Sequence, residues 1–413
     1  MRAFLLLLGL ACTPCGESVG LPRDTQPDSR EDSATDSPAD SAADSPTETG
    51  DTAAPPEVWN VAFYVAADNN LSPFADSFLA ELERVGSTPT MNVLVQIDRS
   101  EVYNPEGTWS DTRRYRIERD ENEAVFGSPL LEELGEADMG DPATLTAFLE
   151  WVDGWPAERS LLVFWGHSAA WHGVGKDSDS RSTISIAQGE LTAALDPRVQ
   201  RAGPFDLIFF EGCYQAAWET GFAIQDQADW MAGSESRVET NGVDWELLLG
   251  WLAAQSTPVV TAELADVAAQ AGALRGSNAS FSAIDLAGQG ALGRALDGLA
   301  GAVLDEHALA GPLRAACDPS PPTDPTSMLF LDLGACAEAL LAGGEPGLAA
   351  PAATLAETVA AAVGSVYTSE ELSWQTGVNV TSTQDQAEMT EYQAAIWADD
   401  TLWDDLIVLL GTL

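Results

Sequence analysis

Lysine and histidine are nearly absent from this chain of 413 residues. Lys176 is the only lysine, and the three histidines are His167, His172 and His307. Acidic residues number 65 against 18 lysines and arginines, which gives a formal net charge of -47. Nucleic-acid phosphates require clustered positive charge, so we expect no nucleic-acid partner. A histidine that acts as a general base must be one of these three.

Long apolar runs are absent after the first residues of the chain. Arg2 precedes the apolar run from Ala3 to Ala11, and Cys12 follows it. This order is typical of an export signal of the lipoprotein type, so we predict a signal over 1–11 and lipidation of Cys12. An ordinary secretory signal is the alternative. In both cases we expect the protein to be exported. It is then either anchored by a lipid at the cell envelope or surface, with the anchor as its one membrane contact, or secreted.

Large apolar residues are also scarce from Glu17 to Glu57, where Asp, Ser, Thr, Pro and Ala dominate. Such a segment buries too little surface to offset its ordering entropy. We therefore predict a disordered acidic tether over residues 12–57 and a folded domain over residues 58–413.

Cysteine is used sparingly, at Cys12 and Cys15 and at three positions of the predicted folded domain. An exported protein can keep disulfides, and Cys317 and Cys336 flank a Pro-rich stretch that can close into a loop. We predict that these two pair, which leaves Cys213 as an unpaired thiol and a candidate nucleophile. A thiol that only fills the core is the alternative.

Strands and helices alternate after residue 58, which predicts an α/β fold with a mostly parallel sheet flanked by helices. We place the catalytic sheet in 58–256 and a largely helical extension in 257–413. The predicted strands are Val61–Ala66, Val93–Ile97, an edge strand Thr112–Arg119, Leu161–Trp165, a run that starts at Phe205, Trp230–Gly233, Ser280–Ile284 and Met328–Leu331. The predicted helices of the first part are Pro142–Val152, Tyr214–Gln225 and Asp244–Ala254.

Two of the apolar strands end in reactive residues, one at His167 and the other at Cys213. Active sites of open α/β sheets lie at the carboxyl ends of strands, so we predict that His167 accepts the thiol proton and later protonates the leaving amine. The helix predicted over Tyr214–Gln225 places the thiol at a helix N-terminus, which favours a thiolate. The backbone amides of Cys213 and Ser168, or of Gly166, are the candidate oxyanion hole.

Glu211 lies two residues before Cys213, and side chains two apart on a strand share a face. A negative charge there raises the pKa of the thiol unless a cation lies against it. We therefore predict that Glu211 forms the floor of a pocket for a basic substrate side chain. An exposed strand-end acid without a partner is the alternative.

Together these residues resemble the clostripain-like cysteine peptidases, relatives of caspases, legumain, gingipains and separase. The resemblance covers nearly all of 58–413 and rests on Ala67–Leu71, Gln96–Ser100, Gly166–Ser168 with Trp171, Phe205–Cys213, and Ala232–Glu235 with Gly242 and Trp245. It implies a caspase-haemoglobinase-like fold and cleavage of peptides or proteins after arginine, or after lysine, by a monomer that uses Cys213 and His167. Glu211 and Glu235 are the implied substrate-binding residues.

Two further properties follow from the resemblance alone. Some members are processed between the histidine and the cysteine, which makes Lys176 and Arg181 candidate self-cleavage sites. Calcium dependence also occurs in the family. We expect no cofactor and assign no metal ligand, with calcium held by Asp177 and Asp179 as the alternative.

Three rival interpretations stay open. Ser168 after an apolar strand imitates the nucleophile elbow of serine α/β-hydrolases, with His307 as the late histidine. His172, which precedes a glycine, competes with His167 for the role of base. A catalytically inactive homologue that binds peptides at the surface is the third, because Ser168 and Gly166 replace the glycine and asparagine of the family.

Overall fold

One long sheet and two small ones carry the fold. The computed structural model describes residues 57–104, 109–122, 126–240, 242–277, 279–317, 330–383 and 385–412. Its strands are β1 (Trp59–Ala67), β2 (Met91–Arg99), β3 (Thr112–Arg116), β4 (Leu130–Gly135), β5 (Arg159–Gly166), β6 (Val174–Asp177), β7 (Ser182–Ile184), β8 (Phe205–Glu211), β9 (Ala228–Gly233), β10 (Ser280–Asp285), β11 (Phe330–Asp332), β12 (Val363–Thr368) and β13 (Asn379–Thr381). Its α-helices are α1 (Ala75–Glu83), α2 (Pro142–Val152), α3 (Glu190–Ala202), α4 (Trp218–Ile224), α5 (Trp245–Ala253), α6 (Thr261–Ala273), α7 (Gln289–Asp305), α8 (Ala310–Ala316), α9 (Leu333–Gly343), α10 (Pro346–Ala362), α11 (Gln386–Tyr392) and α12 (Trp403–Thr412).

The long sheet has nine strands in the order β12-β10-β9-β8-β5-β1-β2-β3-β4. Its centre, from β9 to β2, is parallel. Two antiparallel strands extend it on each side, β3 and β4 on one and β10 and β12 on the other. The predicted mostly parallel sheet flanked by helices is confirmed, and β10 and β12 carry it into residues 257–413.

The central strands are apolar on both faces because helices cover both faces. Phe164 of β5 and Phe210 of β8 stack at 5.4 Å between ring centroids in the hydrophobic layer on one side of the sheet. Val163 and Phe209 point into the layer on the other side. Each buried side chain of this size contributes about 1.5–3 kcal/mol, which fixes the register of the two strands that lead to the candidate site.

Several elements differ from their sequence-based prediction. The strand predicted at Thr112–Arg119 ends at Arg116 and is not an edge strand, because β4 pairs outside it. β4 was not predicted because its residues Leu130–Gly135 are mostly exposed and show no apolar alternation.

The helix predicted at Tyr214–Gln225 begins only at Trp218. Tyr214 has a φ of 62°, and Ala216 N donates to Ser234 O at 2.9 Å. The segment that follows Cys213 is therefore a turn fastened to its neighbours. The prediction that the thiol lies at a helix N-terminus is wrong.

The C-terminal part is tied together by a disulfide that joins Cys317, after α8, to Cys336 within α9, with the Cα atoms 4.5 Å apart. The short strand predicted at Met328–Leu331 is observed as β11, which pairs with β13 in a separate two-stranded sheet. The predicted signal with Cys12, and the tether up to residue 56, lie outside the described residues. Among the helices that are described, none is both long enough and apolar enough to cross a membrane.

Candidate active site

The register of β5 and β8 brings the predicted pair of reactive residues together. Trp165 pairs with Glu211 at the ends of the two strands, and His167 and Cys213 each follow two residues later. Neighbouring strands lie about 4.8 Å apart, so the two chain segments that carry these residues leave the sheet side by side. Cys213 is half-buried and is not part of a disulfide.

Contacts just past the strands show that the two chain segments stay adjacent. Ser168 Oγ donates to Cys213 O at 2.9 Å. A Cβ added to Gly212 would overlap Ser168 Oγ, so a larger residue at 212 would require the Ser168 side chain to move. Ser168 therefore connects the segment after β5 to the segment after β8.

Gly166 is held by the backbone of the neighbouring strand β1. Its φ is 143°, a conformation that side chains other than glycine rarely adopt, and a Cβ there would lie 2.8 Å from Ala66 O. The glycine at this position is required by the local backbone.

His167 is supported by a residue that sequence reasoning missed. Its Nε2 lies 2.7 Å from Asn70 Oδ1, and Asn70 follows β1, the strand beside β5. Burial, and next the charge of Lys176, lower the pKa of His167 to about 4, so the ring is neutral at pH 7. When Nε2 donates to Asn70, Nδ1 is left as the proton acceptor. The available signal was that Asn70 comes just after a strand adjacent to the histidine strand.

Glu211 is buried and not exposed at the strand end. Trp245 Nε1 donates to Glu211 Oε2 at 2.8 Å. Burial raises the pKa of Glu211 to about 8, since the hydrogen bond from Trp245 offsets only part of that effect. The carboxyl is therefore largely protonated at neutral pH and adds little negative charge beside the thiol.

Glu235, the other acid implied as substrate-binding, is enclosed by the protein. Its Oε1 accepts from Gly377 N at 2.6 Å, and its backbone carbonyl accepts from Asn379 Nδ2 at 3.3 Å. Burial, followed by the nearby Asp332, raises the pKa of Glu235 well above its usual value. These contacts fasten the end of β9 to the segment before β13.

The rival residues have other surroundings. His172 stacks on Trp171 with 3.8 Å between ring centroids, and Glu388 and Glu391 of α11 are its charged neighbours. His307 is exposed in a short 3₁₀ helix.

The hairpin of β6 and β7 carries the candidate processing sites. Lys176 in β6 and Arg181 at the turn are both exposed, and Arg181 has a φ of 58°. The two positions differ in access, because Asp177, which follows Lys176, is buried, whereas Ser182, which follows Arg181, is half-buried.

A small cavity lies at the strand ends and reaches the predicted oxyanion region. Its lining residues come from β1, β5, β6, β8 and the segments after β5 and β8, namely Tyr64, Phe164, Trp165, Gly166, His167, Ser168, Val174, Gly175, Phe210 and Gly212. Glu211 is not among the described residues that line this cavity.

Comparison with solved structures shows the same fold. The structure of a secreted C11 cysteine protease from Bacteroides thetaiotaomicron, in complex with an irreversible peptide inhibitor, has a TM-score of 0.60 at 20% identity and covers 83% of this chain and 99% of that chain. An inactive zymogen C11 protease from Parabacteroides distasonis has a TM-score of 0.64 at 17% identity, with 84% and 99% covered. No curated protein matches this chain.

The sequence model of the clostripain family matches residues 63–339. That range includes the second half of β1 and all of β5 and β8, together with both residues of the predicted dyad. The chain belongs to the clostripain family and is a cysteine peptidase.

Proposed function

We propose that this cysteine peptidase is an exported endopeptidase that cleaves after arginine, and also after lysine, with Cys213 as nucleophile and His167 as general base and acid. The observation that carries the proposal is the register of β5 and β8, whose last pair, Trp165 and Glu211, lies two residues before a neutral His167 and before Cys213. A neutral imidazole is the form that accepts a proton.

The reaction begins when His167 takes the thiol proton and the sulfur of Cys213 attacks the carbonyl carbon of the scissile bond. The oxyanion that forms is stabilised by backbone amides near Ser168 and Cys213. His167 then gives its proton to the leaving amine as the C–N bond breaks, which leaves a thioester. Water, deprotonated by His167, attacks the thioester and releases the acid and the free thiol.

Glu211 supports the preference for basic residues. A substrate arginine or lysine that approaches it favours the ionised carboxylate and so lowers its pKa. The carboxyl keeps Trp245 Nε1 as a fixed donor at 2.8 Å, so it stays oriented when it loses its proton. A bound basic side chain thus provides a positive charge that stabilises the ionised form of the buried Glu211 carboxyl.

The first test uses fluorogenic peptides that end in Arg or Lys, with a Gln peptide as neutral control. The full chain and its Cys213→Ala variant are assayed together. We expect hydrolysis of the basic peptides by the unmutated chain only, and alkylation by iodoacetamide at Cys213 in mass spectrometry. Activity that survives in the variant contradicts the cysteine mechanism, and no activity in either protein supports an inactive homologue.

Self-cleavage at the β6–β7 hairpin is part of the same proposal. Lys176 and Arg181 are exposed there and provide the basic residues that the peptidase prefers. We expect the unmutated chain to be cut at one of them and Cys213→Ala to stay intact, as read by intact mass. Cutting of the Cys213→Ala chain when it is incubated alone would assign the cleavage to another protease.

Export directed by a lipoprotein signal is the last part of the proposed function. The apolar run up to Ala11 and the cysteine that follows it support this. In a bacterial host we expect the chain to fractionate with membranes and to incorporate labelled fatty acid, and Cys12→Ala to lose both. Fractionation that does not change in Cys12→Ala would argue against the anchor.

A further inference from the structure

The turn of residues 214–217, which directly follows Cys213, lies between two other chain segments. On one side Ala216 N donates to Ser234 O, just after β9, at 2.9 Å. On the other side Asn379 N, at the start of β13, donates to Ala216 O at 3.0 Å. We call residues 214–217 the cysteine turn. Because it has a neighbour on each side, its position, and that of the thiol before it, depends on how the two segments are joined.

Glu235 joins these two segments. It lies just after β9, and its side chain reaches the segment before β13, where Oε1 accepts from Gly377 N at 2.6 Å. Its backbone carbonyl accepts from Asn379 Nδ2 at 3.3 Å. A second contact lies beside it, since Gln375 Nε2 donates to Ser236 Oγ at 2.8 Å. Glu235 is only 4% exposed, so water does not compete for its bonds.

The second oxygen of the Glu235 carboxyl faces another acid. Oε2 meets no hydrogen-bond donor among the described residues. The group against it is the carboxyl of Asp332, which ends β11, and the two side chains form a hydrogen bond. Ionised carboxylates only accept, so two carboxyl groups form a hydrogen bond only when one of them carries a proton. This buried pair of acids therefore holds a proton.

Asp332 is the acceptor of the bond between the two acids. Its Oδ1 accepts from Ala335 N at 2.8 Å and its Oδ2 from Thr376 N at 2.6 Å, and Thr376 Oγ1 also donates to Oδ1. Ala335 lies in the first turn of α9, so Asp332 also caps that helix. Three donors point at Asp332, so the proton is held by Glu235. In agreement, burial and next the charge of Asp332 raise the pKa of Glu235.

We propose that Glu235 and Asp332 share one proton, and that this pair is a positioning element that holds the cysteine turn, and so Cys213, in its catalytic place. The contacts run from the N-terminus of α9 through the two acids to the segments on both sides of the turn. Asp332 is the charged group that faces Glu235, whereas Arg237, on the segment of Glu235, donates Nε to Tyr214 Oη at 3.2 Å. The inference rests on the proposed role of Cys213 but not on the preference for basic residues.

Loss of the shared proton would set two negative charges against each other in a buried site. The repulsion would separate the segment after β9 from the segment before β13. Because the folded protein raises the pKa of Glu235, the cysteine turn is held below that raised pKa and is released as the pH rises through it. Glutamine at 235 cannot lose a proton, and its amide can accept from Gly377 N and donate to Asp332.

The first test compares Glu235→Ala with Glu235→Gln in the full chain on an Arg peptide. Glu235→Ala removes the link, so we expect kcat to fall by about 10- to 100-fold with little change in KM, and Glu235→Gln to recover most of the loss. The alkaline limb of the kcat profile should lie at higher pH in Glu235→Gln than in the parent, since both carry the same thiol. Glu371→Gln, an exposed acid, is the matched control and should behave as the parent.

A Glu235 side chain that contacts substrate predicts a different result. Glu235→Gln would then raise KM for the Arg peptide and not for a neutral peptide, and its alkaline limb would coincide with that of the parent. Either result overturns the proposal.

Hydrogen exchange read by mass spectrometry tests the position of the cysteine turn without a substrate. The amides of Tyr214 and Ala216 are hydrogen-bonded to the segment after β9, so we expect them to exchange at least about tenfold faster in Glu235→Ala than in the parent. Unchanged exchange overturns the proposal. Faster exchange in a chain that hydrolyses no peptide supports the link and contradicts the proposed role of Cys213 instead. Should Glu235→Ala fail to fold, the comparison of Glu235→Gln with the parent at alkaline pH decides.

Discussion

Glu211 and Asp98 lie on opposite sides of β5, and both have a pKa raised to about 8. For Glu211 the cause is burial, and Trp245 donates a hydrogen bond to its carboxyl. For Asp98 the charge of Glu136 adds to burial, and one of its oxygens has no partner among the described residues. An equal shift therefore arises in two different surroundings, one in which a hydrogen-bond donor is held against the carboxyl and one in which a second acid lies nearby.

The largest effect should come from the catalytic side of this comparison. His167→Ala removes the base, and we expect kcat/KM on an Arg peptide to fall by on the order of 10³-fold at pH 7. Raising the pH should recover part of the loss, because the thiol then ionises without a base. His172→Ala is the matched control and should cost far less. An equal loss in His172→Ala would move the base to the second histidine.

Asn70 contacts His167 and lies two residues after Asp68, just after the end of β1. In Asn70→Ala the imidazole loses its 2.7 Å partner, so we expect kcat to fall by about 10- to 100-fold with little change in KM. Asn70→Asp should recover orientation but raise the pKa of His167, because a carboxylate favours the imidazolium. The acidic limb of the pH profile should then move to higher pH.

A purely structural role for Asn70 predicts something different. Both variants would then lose thermal stability and activity together, and the pH profile of Asn70→Asp would match that of the parent. Comparing the acidic limbs at a temperature well below unfolding separates the two explanations.

The strands that lead to the dyad were predictable because buried parallel strands are apolar on both faces and end in glycine-flanked polar residues. The helix after Cys213 was mispredicted because tertiary contacts decide that segment: Tyr214 N donates to Ser236 O, and Ala217 bridges to Asn379. The contact between Asn70 and His167 was not predicted from the sequence, because β1 and β5 become neighbours only through the strand order of the folded sheet.

Glu211→Gln should change substrate preference more than chemistry. We expect kcat/KM on Arg and Lys peptides to fall by about tenfold, and the value on a neutral peptide to stay within a few-fold, because glutamine keeps the acceptor for Trp245 but cannot become negative. Equal loss on basic and neutral peptides would assign Glu211 a structural role.

The same variant also tests the raised pKa of Glu211. The folded protein holds the proton of Glu211 between its ordinary pKa of 4.5 and about 8, so the stability that this group contributes is present at acidic pH and is lost as the pH rises through about 8. Glutamine mimics the protonated form, so the parent should lose more free energy of unfolding than Glu211→Gln between pH 5 and pH 9, by up to a few kcal/mol. Denaturant titrations at both pH values measure it.

The smallest effect on activity should come from substitution of Ser168. A small loss of activity there would exclude Ser168 as the nucleophile. Ser168→Ala removes the 2.9 Å hydrogen bond to Cys213 O, which is worth about 1 kcal/mol, and leaves the thiol and His167 in place. We therefore expect a slight loss of stability and a change of a few-fold in kcat. If Ser168 were the nucleophile, Ser168→Ala would abolish hydrolysis and Cys213→Ala would spare it. Both variants are assayed on one Arg peptide, with Ser180→Ala in the β6–β7 hairpin as the matched serine control. The assay shows whether Ser168 only connects the two chain segments or acts as the nucleophile.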